Sequence, residues 1–177
     1  MHELQACFTS YLEPLGVLSQ HVLNTVEPGL SKYIMHEIHT SLLWIGNAFD
    51  VRDNRVLFDA EIATVIDLAA EEQPASPPRQ LIYCRYPLND GGGNDEVVLS
   101  QLLRTLVGLL ESNKRTLVAC SAGRSRSPTI AAFGLALHLS QKPEEIIERI
   151  AEVKPLEVSP LFWDEVAGVY SELRQDR

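Results

Sequence analysis

The chain has 177 residues, enough for one domain with a proper hydrophobic core rather than two. Its composition, 45% hydrophobic and 22% charged, is that of an ordinary globular protein. A formal charge of −9 argues against nucleic-acid or anionic-membrane partners, both of which reward clustered Lys and Arg.

Residues 1–35 are the least patterned. Leu4, Phe8, Tyr11, Leu12, Leu15 and Leu18 have helix-like spacing, broken by Pro14 and Gly16, and Pro28-Gly29 marks a turn. This stretch is expected to form an N-terminal extension of one or two short helices packed on a domain spanning 36–177. Residues 42–46 then read as a strand ending at a glycine, and residues 64–68 as a short buried strand. A polar, proline-rich loop (71–78) precedes another strand, 80–86. Residues 87–94 (PLNDGGGN) form a loop, after which Asp95 is placed to cap a helix reaching about Ser112. Thr116-Leu117-Val118-Ala119 is the next strand. Helices follow over 128–139, from Pro143 to a point before Pro155, and from Ser159-Pro160 onward. Strands alternating with helices predict an α/β domain whose central sheet is mostly parallel and flanked by helices, with its reactive site outside the carboxyl ends of the strands.

Cys120-Ser121-Ala122-Gly123-Arg124-Ser125-Arg126-Ser127 occupies such an end. A cysteine between a strand and a helix N-terminus meets unpaired N–H groups and the positive end of the helix dipole, which favour the thiolate. The loop after it can curl so that its N–H groups point inward, and Gly123 supplies the backbone freedom for that. Arg126 adds a fixed positive charge whose fork matches two phosphate oxygens. The same groups bind a tetrahedral oxyanion, so a phosphate or sulfate ion is an expected occupant of the loop. A nucleophile beneath a bound phosphate points to covalent phosphoryl transfer through a phosphocysteine. Ser127 is placed to hydrogen-bond the sulfur and help it leave. The departing oxygen needs a proton, and Asp90, on the glycine-rich loop after a strand, is the favoured general acid. Asp95 is the competitor, but its position suits a helix cap.

The segment CSAGRSRSP resembles the Cys-x5-Arg-Ser signature of the protein tyrosine phosphatase superfamily, in its dual-specificity branch. Residues 43–47 (LWIGN), 64–68 (TVIDL), 86–90 (YPLND) and 153–162 (VKPLEVSPLF) are similar to other segments of that branch, so the likeness spans roughly residues 38–175. It implies a cysteine-phosphatase fold with Cys120 as nucleophile, Arg126 as phosphate clamp, Asp90 as acid and base, and Ser127 as the aid to sulfur release. Ser121, Ala122, Gly123, Arg124 and Ser125 would line the substrate phosphate, with no metal and no organic cofactor. The implied substrate is a phosphorylated protein or another phosphomonoester. One departure stands out: the family usually has a histidine before the nucleophile, and here it is Ala119. That predicts a slower enzyme and keeps open a pseudophosphatase that binds phosphate without turnover. The AGRSRS portion also resembles that of phosphatidylglycerophosphate phosphatases, so a phospholipid or inositol phosphate is an alternative substrate.

The remaining candidates read as structural. Cys7, Cys84 and Cys120 contain no CxxC pair, so neither a disulfide framework nor a zinc site is expected, and a reducing, cytoplasmic setting is the default. No apolar run suits a membrane span and no secretory signal pattern opens the chain, so stable membrane insertion is not expected. Cys84 reads as a buried hydrophobe, with a resolving thiol for an oxidised Cys120 as the lesser alternative. Asp67 reads as a hydrogen-bonding group at a strand end. His36 and His39 are too few ligands for a metal. Arg124 is either a solvated side chain or a second basic group for a substrate richer in negative charge.

Overall fold

The computed structural model of the chain describes residues 35–176. The helices expected over residues 1–35, and Cys7 with them, lie outside the described residues apart from Met35. The described part opens with an antiparallel pair, β1 (His36–His39) and β2 (Leu43–Asn47). Two short helices, α1 (Ala48–Arg52) and α2 (Asn54–Asp59), follow. Neither they nor β1 are foreseen from the sequence, because elements of this length are too short to display an apolar period. Local capping starts the helices. The Asn47 side chain accepts from the N–H groups of Phe49 and Asp50, while Asp50 accepts from the Asn47 N–H at 2.8 Å. Asp53 does the same for Arg55 and Val56.

The expected alternation then appears: β3 (Thr64–Ala69), β4 (Ile82–Leu88), α3 (Glu96–Glu111), β5 (Thr116–Cys120), α4 (Arg126–Leu139), α5 (Pro143–Val153) and α6 (Pro160–Gln175). The strands form one sheet in the order β1-β2-β5-β3-β4, parallel except for β1. β3 and β5 are buried along their whole length, as sheet strands covered on both faces must be. Alternation along the strands sends Ile45, Ile66, Val118 and Cys120 into the core beneath α3 to α6. Trp44, Val65, Leu117 and Ala119 face the other way, against Val51, Leu57 and Ile62. Among the described helices none is long and apolar enough to cross a membrane.

α4 is buried from Arg126 to Leu137, apolar all round because the sheet covers one side and other helices the rest. Phe133 packs on Trp163 and Tyr170, with ring centroids 4.5 and 5.3 Å apart. Gly134 faces α3 so closely that an added β-carbon would lie 2.3 Å from Leu106 Cδ2 and 2.9 Å from Leu106 Cγ. Gly134→Ala gains about 1 kcal/mol of helix propensity but overpacks a rigid contact at a cost of about 1–3 kcal/mol. The midpoint of thermal unfolding is expected to fall. In a Leu106→Ala background the same substitution is expected to be neutral or stabilising; a midpoint raised by the single variant would contradict the close α3–α4 contact.

Candidate active site

β5 ends at Cys120 and α4 begins at Arg126, two residues earlier than the apolar pattern alone marks, so Arg126 and Ser127 are the first residues of the helix. Between them the chain reverses through Gly123, whose φ of +71° is a conformation that side chains resist. A β-carbon there would lie 2.7 Å from both the Gly46 carbonyl oxygen and Lys154 Nζ. Only glycine lets the turn pack this tightly.

The turn closes around the sulfur. Cys120 is buried, and its Sγ accepts from the Gly123 N–H at 3.2 Å. The Ser127 hydroxyl lies 3.4 Å from Sγ and 3.3 Å from the Gly46 carbonyl oxygen. Its single proton can therefore serve either acceptor, and it turns to the sulfur when the sulfur carries charge. Ala122 and Arg124 sit on the exposed side of the loop, while Gly123 and Ser125 are buried.

Arg126 is only 2% exposed and is held by groups from two other segments. One terminal nitrogen donates to the Leu88 carbonyl at 2.8 Å and to Glu71 Oε2 at 2.7 Å; the other donates to Glu71 Oε1 at 2.5 Å. Burial pushes the guanidinium toward neutrality, but Glu71, Cys120 and Asp90 outweigh it and raise its pKa further. The hydrogen bond from Arg126, in turn, holds the Glu71 carboxyl below the usual carboxylate range. Nε of Arg126 is buried without a hydrogen bond, 3.9 Å from Asp90 Oδ2. Leaving such a donor unpaired costs about 1–3 kcal/mol. A phosphate oxygen in the cradle is the ligand that would satisfy it.

Of the two acid candidates, the fold brings only one to the turn that holds the sulfur. Asp90 Oδ1 accepts from the Ser125 hydroxyl at 2.7 Å, and Asp90 remains exposed enough to meet a leaving group. Asp95 caps α3 instead, accepting from the Val97 and Val98 N–H groups at 2.8 and 3.2 Å. Ser125, at the cap position of α4, makes no side-chain cap hydrogen bond. Its oxygen goes to Asp90 and accepts from the Ser159 N–H at 3.1 Å.

Three functional-site residues escape the sequence reading. Glu71 and Glu72 lie in what reads as a solvated loop, yet they stand at the carboxyl end of buried β3, where α/β sites assemble. Glu72 accepts from the Ser121 hydroxyl at 2.8 Å and pairs with Arg52 at 2.9 Å; Arg52 first, then Ser121, holds its carboxyl low. Lys154, 9% exposed, places its ammonium against Gly123. Burial depresses its pKa and Arg124 adds to that, while Asp50 and Cys120 oppose the loss of charge. Asp50 is itself fully buried beside Gly46, and burial raises its pKa.

The other candidates fall into structural places. Arg124 forms an ion pair with Glu157 at 2.5 Å, so its charge is already answered on the rim. Asp67 accepts from the Tyr83 hydroxyl at 2.5 Å and from the Ala69 N–H at 3.2 Å, as expected of a strand-end group. Cys84 lies on β4, with β3 between it and β5: Cys84 pairs with Ile66, and Ile66 with Val118. Two strand spacings put such positions about 9–10 Å apart, beyond the roughly 7 Å limit for a disulfide. Cys84 is therefore not a resolving partner for Cys120 without a rearrangement of the sheet, and burial pushes its thiol up.

No protein-family model and no curated protein matches the chain. Solved structures do match in fold. A mouse protein named as a dual-specificity phosphatase, in complex with zinc tungstate, aligns with TM-score 0.74 at 21% identity, covering 87% of this chain and 96% of that one. PTPMT1 in complex with PI(5)P aligns with TM-score 0.65 at 19% identity, covering 80% of this chain and 97% of that one. The human tyrosine phosphatase-like serine/threonine/tyrosine-interacting protein aligns with TM-score 0.67 at 17% identity, covering 78% of this chain and 97% of that one. The chain has the fold of the dual-specificity phosphatases.

The tightest element of the cradle is Gly123. Gly123→Ala is expected to weaken inorganic-phosphate binding at least about tenfold, or about 1.4 kcal/mol, with the circular dichroism of the domain unchanged. Phosphate protection of Cys120 from alkylation measures this; undiminished protection would show that the turn tolerates a side chain.

Proposed function

We propose that the chain is a cysteine-dependent phosphomonoester hydrolase of the dual-specificity type, acting through a phosphocysteine intermediate on phosphorylated proteins. One observation carries this reading: Cys120 Sγ and the Arg126 guanidinium, from the turn between β5 and α4, meet the Asp90 carboxyl, brought in from the loop after β4, at the N-terminus of α4.

In the first step the Cys120 thiolate attacks phosphorus and the P–O bond to the substrate breaks. The phosphate oxygens accept from cradle N–H groups and from Arg126, whose unpaired Nε becomes paired. Asp90, protonated, gives its proton to the departing alkoxide or phenoxide. In the second step water attacks the phosphocysteine, Asp90 takes the proton, and inorganic phosphate forms. Ser127 donates to the sulfur as the S–P bond breaks, stabilising the returning thiolate. Each step conserves its protons without a metal or an external reductant.

The mouth of the site bears on the substrate. Glu71, Glu72, Asp90 and Glu157 surround the cradle, and Arg124 is paired with Glu157. Each of the glutamates is paired, Glu71 with Arg126, Glu72 with Arg52 and Glu157 with Arg124. The rim arginines Arg52 and Arg124 are thus already engaged, which suits a single phosphomonoester, such as that of a phosphopeptide, better than a substrate with several phosphates. The likeness to PTPMT1 bound to PI(5)P supports the lipid-phosphate alternative, which the pairing of Arg52 and Arg124 with glutamates disfavours. The phosphate-binding pseudophosphatase is disfavoured by the joint presence of nucleophile, clamp and acid. Ala119 belongs to the apolar cluster with Leu117, Val51 and Leu57 on the far face of the sheet, and its methyl group offers the cradle no donor, which supports the expectation of a slower enzyme.

Cys120→Ser is expected to abolish turnover of an aryl phosphate, while tungstate binding persists. A wild type that binds tungstate without turnover would establish the binding module instead. Phosphopeptides are expected to be hydrolysed with kcat/KM at least about tenfold above that for vesicles containing PI(5)P. The reverse order would assign the lipid phosphate.

A further inference from the structure

The segment that carries Asp90 has little reason of its own to hold one shape. Gly91, Gly92 and Gly93 follow the acid directly, and two of them have positive φ, +151° at Gly91 and +86° at Gly93. Its conformation is imposed from outside by two side chains. Asn94 closes the loop on itself: Oδ1 accepts from the Asn89 N–H at 2.8 Å, and Nδ2 donates to the Asn89 and Gly91 carbonyls at 3.3 and 3.2 Å. Glu165, on α6, then grips the closed loop. Its Oε1 accepts from the Gly93 N–H at 2.5 Å, and its Oε2 accepts from Asn94 Nδ2 at 2.9 Å and the Asn94 N–H at 3.3 Å.

The carboxylate can come this close because Gly92 has no side chain; a β-carbon there would lie 3.3 Å from Glu165 Oε1. Desolvation works against the charge on Glu165, but the donors from Asn94 and Gly93 win and hold its carboxyl below the usual range, so it remains an ionised acceptor. The start of α6 reaches the same acid from its other side. The Ser159 N–H donates to Ser125 Oγ, and that hydroxyl donates to Asp90. One helix therefore reaches the acid loop directly through Glu165, and its N-cap Ser159 reaches Asp90 through Ser125.

We propose that Glu165 and Asn94 are positioning residues for proton transfer: they clasp the Gly91–Gly93 segment to α6 and so hold Asp90 at the leaving-group side of the cradle before any substrate arrives. This rests on the reading of Asp90 as the general acid. A preset acid removes the ordering of a triglycine loop from the chemical step. A residue that merely stabilises the domain would slow every substrate alike. A residue that acts through the acid slows only those substrates whose leaving group needs a proton.

The test uses the full chain and kcat/KM, which reports steps up to formation of the phosphocysteine. Wild type, Asp90→Asn, Glu165→Ala, Glu165→Gln, Asn94→Ala and the double variant Asp90→Asn/Glu165→Ala are compared on p-nitrophenyl phosphate and on phenyl phosphate, whose leaving group is far more basic. Glu165→Ala and Asn94→Ala are expected to lose about tenfold on phenyl phosphate and less than about threefold on p-nitrophenyl phosphate, within the roughly 10²–10⁴ range that a whole general acid supplies. Glu165→Gln, which keeps one acceptor oxygen, is expected to fall between wild type and Glu165→Ala. In the Asp90→Asn background, Glu165→Ala is expected to add no further loss. Equal losses on the two substrates, or a loss that persists without Asp90, would overturn the clasp while leaving the acid in place. If Asp90→Asn itself affects both substrates alike, the acid reading fails and the clasp falls with it. Should Glu165→Ala fold poorly, the Glu165→Gln and Asn94→Ala comparisons decide alone.

Discussion

A guanidinium almost fully removed from water imposes more on this domain than any other group. Arg126 lies in the first turn of a buried helix, and a bare charge there would be untenable. Its partners must come from elsewhere in the chain: Glu71 from beyond β3, and the Leu88 carbonyl from the end of β4. Each reaches Arg126 because β3, β4 and β5 are parallel neighbours that end at the same edge of the sheet. Satisfying one charge thus draws three strand ends together, and Asp90, two residues beyond Leu88, is carried in with them. What the partners leave unmade, the buried Nε, marks where a bound oxyanion would complete the set.

Around that charge the site divides into a rigid floor and a supported roof. The floor is Cys120 with the turn through Gly123, wedged between the Gly46 carbonyl and Lys154. Lys154 is a second buried basic group against the turn, and it and Arg126 both interact electrostatically with Cys120. The roof is the Asp90 loop, whose Gly93 and Asn94 are held by Glu165 of α6. The division suits the proposed mechanism, in which the nucleophile would need constant surroundings in both steps and the acid would exchange a proton with a group that changes identity.

Much of this was legible before any coordinates. The α/β alternation, the parallel sheet, the strand ending at Cys120 and the capping role of Asp95 all follow from patterns that act over a few residues. So does the pairing of a thiol with a glycine turn and a helix N-terminus. The elements that escaped notice, β1, α1 and α2, are held by a hairpin register and by side-chain caps, which leave little periodic trace. Glu71 and Glu72 escaped because a carboxylate in a polar loop looks the same whether it meets solvent or a buried arginine. Arg124 was ambiguous for the converse reason: its partner, Glu157, lies in a different loop.

The sequence by itself determined the make-up of the candidate centre, because Cys120, the Gly123 turn and Arg126 are adjacent in the chain and need only local backbone geometry to come together. Tertiary structure alone decided how that centre is completed. Glu71 and Lys154 become site residues, and Cys84 is removed as a redox partner, because sheet order sets which strand ends converge and which are held a strand apart. Glu165 joins the acid loop across 71 residues of chain. Contacts between groups that far apart depend on how helices and strands pack, and no local pattern in the chain records them.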